Sequence, residues 1–210
     1  MAFDFKREYR EFYMPKQTPG IVTVPPMRYV AVRGEGNPNA SDGPYQRAIA
    51  VLYAVAYTLK MSKLGDHRIE GYFDFVVPPL EGFWWQPGVE GVDCRRKDDF
   101  HWISCIRLPD FVTEMDMKWA ANEAAAKKKL DCASAEFLAV EEGLCAQLLH
   151  VGPFDEEPAS VARLDAFVRE QGCAPDFSET RLHHEIYLSD ARKAPPEKWK
   201  TVIRHPIRRI

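Results

Sequence analysis

The sequence predicts an α+β fold: two tandem strand–helix–strand–strand modules whose antiparallel sheets enclose a central ligand groove. Three observations predict it. Strand-like and helix-like stretches follow one another in the same order twice, at 27–33, 43–62, 67–77 and 100–107, then at 143–151, 157–171, 181–188 and 199–205. Both first strands run into a loop and then a helix with proline near its start, Pro44 and Pro158. Both third stretches carry one carboxylate among apolar residues, Asp74 and Glu185, and each leads to a Pro-Pro pair. The whole chain, 1–210, is expected to be one domain. It divides into an entry segment 1–20, module one at about 21–112, a linking helix at about 113–130 and module two at about 131–210.

In the entry segment, Phe3, Phe5, Tyr9, Phe12 and Tyr13 offer apolar anchors, and Pro15 and Pro19 stop a helix. Ile21 to Val24 starts a strand that Pro25-Pro26 interrupt, which suggests an edge or a bulge because proline donates nothing to a ladder. Met27 to Arg33 resumes as a strand, and GEGNPN after it is a loop. Tyr45, Ala48, Ile49, Leu52, Val55, Ala56 and Leu59 then recur at helical spacing, with Ser41 or Asp42 as the expected cap. HRIEGYFDFVV (67–77) is expected as a strand and the aromatic run 81–88 as a loop. Thr113 with Asp116 resembles a capping box, and Lys127 to Lys129 suit the C-terminus of that helix. Residues 137–140 and 143–151 are extended, and 157–171 is a helix with Gly172 past its end.

The stretch LHHEIYL (182–188) holds the chemistry. Side chains alternate along a strand, so His183, Glu185 and Tyr187 share one face and His184, Ile186 and Leu188 the other. A carboxylate between an imidazole and a phenol has two explanations. It forms an ion pair or lies on an exposed face, or it is a pocket carboxylate that binds a cation or activates water. His183 and His184 point apart and do not chelate one ion. Phe83, Trp84 and Trp85 concentrate aromatic surface and serve either as a core plug or as a cavity wall. Tyr45, Tyr53 and Tyr57 lie along the first helix, where core packing and a ligand wall are again the alternatives. Glu156-Glu157 and Asp98-Asp99 read as solvated turns, and Arg204, His205, Arg208 and Arg209 as a solvated basic tail.

Bulk properties exclude other classes. The net charge is −3, which gives no general attraction to nucleic acid, and no apolar run approaches the roughly 20 residues of a membrane helix. The five cysteines are scattered and lack CxxC spacing, which argues for reduced thiols in a cytoplasm and against a zinc site. There is no GxSxG elbow and no GxGxxG loop. No metal and no cofactor is therefore expected.

Taken together, FDFKREYREFY, VPPMRYVAVRGEGNPN, VVPPLEGFWWQPG, RLPDFV and HHEIYLSDARKAPPEKWKTVIRHPI resemble the GyrI-like small-molecule-binding family, in its single-domain bacterial branch. The likeness covers nearly the whole chain. It implies two modules related by a pseudo-twofold axis. In this family, effector domains of multidrug-responsive regulators bind cationic aromatic drugs around a buried Glu, and stand-alone members include a gyrase inhibitor. Another branch hydrolyses cyclopropane-bearing DNA alkylators of the yatakemycin and duocarmycin type, and this sequence is most similar to that branch. The resemblance places the central Glu on Glu185 and the aromatic wall on Trp84, Trp85 and Tyr187. No helix-turn-helix precedes the domain, so a regulator role is not expected. What it implies is a cofactor-independent hydrolase with Glu185 and Tyr187 as catalytic residues. Phe83, Trp84, Trp85, Tyr45, Tyr53 and His183 would bind the ligand, a small hydrophobic or cationic aromatic molecule. Sequestration of such drugs without turnover, and a gyrase-inhibitor-like interaction module, are the alternatives. Direct nucleic-acid and membrane partners are not expected; a homodimer and a protein partner stay open.

Overall fold

The computed structural model of the chain describes residues 2–210. In chain order its elements are helices α1 (Phe5–Glu8) and α2 (Arg10–Tyr13), strands β1 (Gly20–Val24) and β2 (Met27–Glu35), and helix α3 (Pro44–Met61). Strands β3 (Leu80–Trp85) and β4 (His101–Arg107), helix α4 (Glu114–Lys128), and strands β5 (Glu136–Val140) and β6 (Gly143–Val151) follow. The chain ends with helix α5 (Glu157–Glu170) and strands β7 (Cys173–Pro175), β8 (His183–Tyr187) and β9 (Lys200–Arg209). The sheet order is β1-β6-β9-β8-β3-β4-β2-β5, with β7 added on β9, and the strand pairs are antiparallel.

The repeat is visible in that order. Strands β2, β4 and β3 mirror β6, β9 and β8 about the β3–β8 seam. The two modules therefore do not face each other across a groove as separate sheets. They join edge to edge, because β3 and β8 each have one edge left after pairing within their own module. Each module also takes a strand from elsewhere in the chain: β1 pairs with β6, and β5 pairs with β2. Pro25-Pro26 make this exchange feasible. They break the run between β1 and β2, so the two strands enter opposite halves of the sheet.

Two predicted elements change. Residues 67–77 do not form a strand; their only ladder contact among the described residues is the bridge between Phe75 and Phe3. Gly71 takes a positive φ of 71°, and Phe75 and Phe111 plug the core instead. The aromatic run, expected as a loop, supplies β3 at the centre of the sheet. Gly82 interrupts its alternation, which conceals the strand, whereas aromatic residues favour strands and the turn comes only at Gln86-Pro87-Gly88. The echo of Asp74 with Glu185 therefore lapses. The expected cap of α3 also shifts: Gly43 precedes Pro44, and no side chain caps the helix. The Thr113–Asp116 capping box is present, with Asp116 N–H donating to Thr113 Oγ1 at 3.2 Å and Thr113 N–H to Asp116 Oδ2 at 3.0 Å.

Helices cover one face of the sheet. α3 and α4 bury Leu52, Val55, Leu59, Met117 and Ala120 over the first half, and α5 buries Leu164 and Val168 over the second. The other face is closed by α1, α2 and the 67–77 segment, with Phe5, Phe12, Tyr13 and Phe75 buried there. The Arg107 guanidinium lies 4.9 Å and 4.5 Å from the ring centroids of Phe5 and Tyr9, which anchors the entry segment by cation–π contact. Among the described residues no helix is long and apolar enough to cross a membrane.

The entry segment is also held by a buried charge network. His184 donates from Nδ1 to Glu142 (2.9 Å) and from Nε2 to Glu81 (3.0 Å), so it is an imidazolium. Arg204 donates to Glu142 (2.7 Å), Gln147 (3.0 Å) and the Phe12 carbonyl (2.9 Å), and Tyr13 donates to Glu81 (3.0 Å). Arg204 is 1% exposed and His205 is buried as well, so these two of the expected basic tail belong to an interior strand, whereas Arg208 and Arg209 are exposed as expected. Burial opposes the charge on Glu142, but His184 and Arg204 outweigh it and hold the carboxyl down at about 2. Burial also opposes the charge on His184, and Glu142 and Glu81 raise its pKa above the ordinary value. The Glu142 contribution is present above its unfolded pKa of about 4.3 and is lost as pH falls toward 2. The His184 contribution is present below about 6.5 and fades as pH rises through its raised pKa. Thermal melts from pH 2 to 9 are expected to peak between these limits; a melting temperature flat across the acid limb would contradict the network.

Candidate functional site

β8 alternates as its sequence predicts. His183, Glu185 and Tyr187 face the helices, and His184 and Ile186 face the entry segment. Across the seam Glu185 lies opposite Gly82, Tyr187 opposite Leu80, and His183 opposite Trp84. On the other side Glu185 is opposite Ile203 and Tyr187 opposite Thr201 of β9. Glu185 therefore sits on the sheet floor at the seam, between α3 and α5. A cavity of about 850 Å³ opens there, lined in part by Tyr45, Tyr53, Trp84, Phe154, Glu157 and Trp199.

The hydrogen bonds around the carboxylate are specific. His183 Nε2 lies 2.9 Å from Glu185 Oε1, and the Tyr187 hydroxyl donates to Oε2 at 2.7 Å. Trp84 Nε1–H donates to the same hydroxyl at 3.0 Å. The Trp84 ring in turn packs on Tyr45 at 5.3 Å and Phe100 at 5.3 Å between centroids. Tyr45 packs on Trp102, and its hydroxyl lies beside Ser104 and Tyr187. Phe154 and Trp199 form a second aromatic wall, with Phe154 edge-on to Tyr187 at 5.8 Å.

Glu157, expected in a solvated turn, is 4% exposed at the start of α5 and lines the cavity beside Glu185. Both carboxyls line the same cavity, and each bears on the proton affinity of the other. Burial and then the Glu185 charge drive Glu157 well above the usual carboxylate range. Burial also works against the ionised form of Glu185, but the His183 hydrogen bond and charge, with the Tyr187 hydroxyl, bring it below its ordinary value. Burial and the Glu185 charge also raise Tyr187 well above an ordinary phenol, so it stays a hydroxyl donor. No sequence periodicity marks Glu157, because it stands at a helix start and is buried only by the approach of that helix to β8.

The structure brings Trp84, Tyr45, Tyr53, Glu185 and Tyr187 to the cavity and places His183 behind Glu185. Phe83 and Trp85 are not brought there. Strand alternation turns both to the opposite face, where Phe83 stacks on His184 at 4.0 Å and Trp85 on His101 at 5.4 Å. They are core and rim, which corrects the expectation that they bind ligand. Tyr57 joins the outer end of the cavity, stacked on Tyr53 at 6.3 Å.

Gly82 makes this floor possible. A Cβ at Gly82 would come within 2.5 Å of Trp84 Nε1 and 3.1 Å of the Tyr187 hydroxyl. Gly82→Ala is expected to break the Trp84–Tyr187 hydrogen bond and to cost about 1–3 kcal/mol of overpacking. Thermal melts and the intrinsic fluorescence of Trp84 in a single-Trp background check this; an unchanged spectrum would show that the site accommodates the methyl group.

The architecture and this aromatic-walled carboxylate floor define a small-molecule-binding α+β protein. Residues 17–208 match the family described as GyrI-like small molecule binding domain, and the chain belongs to that family. Among solved structures it is similar to a hydrolase from Listeria innocua, at 46% identity and a TM-score of 0.89, covering 99% of this chain and 100% of that one. It is also similar to an uncharacterized conserved protein from Listeria innocua, at 47% identity and a TM-score of 0.91 with the same coverage. The EcmrR C-terminal domain shares the fold alone, at 11% identity and a TM-score of 0.59 over 92% of this chain and 98% of that domain. A search of curated proteins finds no match.

Proposed function

We propose that the chain hydrolyses electrophilic, cyclopropane-bearing aromatic molecules by water attack, with Glu185 as general base. The observation that carries this is the placement of Glu185, held by His183 and Tyr187, beside Glu157 in one aromatic-walled cavity, where burial pushes Glu157 up and the His183 and Tyr187 contacts bring Glu185 down. Two carboxyls whose surroundings drive their pKa values apart supply one ionised base and one neutral acid in the same place. The similarity to a Listeria innocua protein described as a hydrolase supports the same class of activity.

In the proposed step a flat ligand lies between Trp84 and Tyr45 on one side and Phe154 and Trp199 on the other. Glu185 takes a proton from water, and the water oxygen bonds to the cyclopropane carbon. The strained C–C bond breaks and its electron pair passes to the conjugated carbonyl oxygen, which becomes a phenolate as the ring aromatises. Tyr187 is the proposed hydroxyl donor to that oxygen. Protonation of Glu185 weakens its hold on the Tyr187 hydroxyl and frees that donor as the oxyanion develops. The proton taken up by Glu185 then passes to the phenolate, directly or through Tyr187, which restores the carboxylate, and the net change is addition of one water. The test incubates the purified protein with spirocyclopropane alkylators and reads product mass. A protein-dependent gain of one water supports the assignment; ligand-induced stabilisation without product identifies a sequestering protein instead.

A further inference from the structure

Helix α3 carries two stripes. Leu52, Val55, Ala56 and Leu59 are buried in the core. Tyr45, Ile49, Tyr53 and Tyr57 recur every fourth residue, and all four line the cavity. Exposure rises along this second stripe. Tyr45 is 8% exposed, Ile49 and Tyr53 are half-buried, and Tyr57 is 47% exposed. The cavity is thus closed beside Tyr45, Trp84 and Glu185 and more open toward the C-terminal end of α3. Tyr53 lies about 12 Å along the helix from Tyr45, and Tyr57 about 18 Å. The Tyr53 and Tyr57 rings stack at 6.3 Å, 30° from parallel. Core packing does not account for two such rings in the open part of a cavity, because neither is buried. Asp190 and Arg192 line the same end beside Tyr53. Arg192 donates to both Asp190 oxygens, at 2.9 and 3.0 Å, so these two charges offset each other.

We propose that Tyr53 and Tyr57 form an outer subsite that selects elongated substrates: the reactive unit lies at Glu185, and a second, uncharged planar unit joined to it lies along Tyr53 and Tyr57. The assignment of the inner end rests on the hydrolytic function above. That reaction engages only the inner end, whereas the whole cavity, at about 850 Å³, is in the upper part of the range for drug-sized ligands. An uncharged second unit fits because the outer end offers aromatic surface and a paired Asp190–Arg192. Contact there adds binding energy remote from the reacting carbon and holds that carbon in place over the base. Tyr53 and Tyr57 are therefore specificity-determining residues and touch no reacting atom.

The test uses two probes built on one spirocyclopropane unit. One bears an acetyl group and the other a planar naphthoyl group at the same position. Each kcat/KM is divided by the probe's uncatalysed rate. The wild-type protein is expected to favour the naphthoyl probe by about tenfold, the worth of one well-placed aromatic contact, and chiefly through KM. Tyr53→Ala combined with Tyr57→Ala is expected to bring the ratio close to one, and the corresponding double Phe variant to keep it. A merely structural role would lower both rates together and leave the ratio where it was. No preference in the wild-type protein, or a preference that survives in the double Ala variant, overturns the proposal. Calorimetry with the ring-opened, unreactive form of each probe reads the subsite without turnover. Tighter binding of the naphthoyl form, lost in the double Ala variant, is expected, and equal binding of the two forms overturns the proposal. That binding preference without turnover of either probe would remove the hydrolytic function and leave the outer subsite standing.

Discussion

Glu185→Gln is expected to lower turnover of a spirocyclopropane alkylator by about 10²- to 10⁴-fold, the usual range for loss of a positioned general base. The amide keeps the shape of the carboxylate and a hydrogen-bond acceptor for Tyr187, so the cavity survives. It removes the ionised carboxylate from a site where the Glu185 side chain is only 13% exposed. Loss of that charge relieves the second-largest cause of the raised Glu157 pKa, after burial itself. The melting temperature is therefore expected to hold, which separates loss of chemistry from loss of fold. Glu157→Gln, in contrast, places a neutral group where burial and the Glu185 charge already favour a neutral carboxyl, and is expected to cost less. Mass spectrometry of product with both variants checks this order. Equal turnover by wild type and Glu185→Gln would move the base elsewhere, and Glu157 would be the next residue to test.

The second large effect is on stability. Arg204→Met is expected to destabilise the fold by about 3–5 kcal/mol, because it removes one of the two cations that hold Glu142 in a dry interior and leaves Glu142 Oε1 unpaired. Arg204 also donates to the Phe12 carbonyl and to Gln147, and Gln147 Nε2 donates to the Glu11 carbonyl at 2.5 Å. The loss therefore reaches the entry segment. A fall of roughly 10 °C in melting temperature follows for a chain of this size. Early hydrogen exchange in residues 5–13 is expected with it. Thermal melts combined with hydrogen exchange measure both; a loss confined to β9 would show that the entry segment is held by its aromatic anchors alone. Arg204→Met with Glu142→Met removes both charges together and is expected to recover much of the loss.

The first prediction concerns β8 and the second its neighbour β9, and the two faces of β8 serve different purposes. Glu185 and Tyr187 line the cavity floor, while His184 one residue away locks the opposite layer. That division follows from the period of two in a strand and was readable from LHHEIYL before any coordinates. The capping box, the prolines that open α3 and α5, and the module order were equally local, since each depends on residues within a few positions of one another. The family motifs extended that local information to a candidate base and ligand class.

What lay beyond the sequence concerns partners distant along the chain. Phe83 and Trp85 were separable from Trp84 only once β3 was known to be a strand, because alternation has meaning only in an extended segment. Glu157 carries no local signal; α5 delivers it to Glu185 from 28 positions away, and the pairing exists only in the packed fold. His205 and Arg204 looked like a solvated tail because the burial of a terminal segment depends on the strand it pairs with, here β8 and β6. Periodicity, caps and turns thus determined the helices and most of the strands, 67–77 and β3 excepted, and which side chains of β8 share a face. Register across the seam and helix placement over it decided which faces meet, because those are set by long-range packing rather than by neighbouring residues.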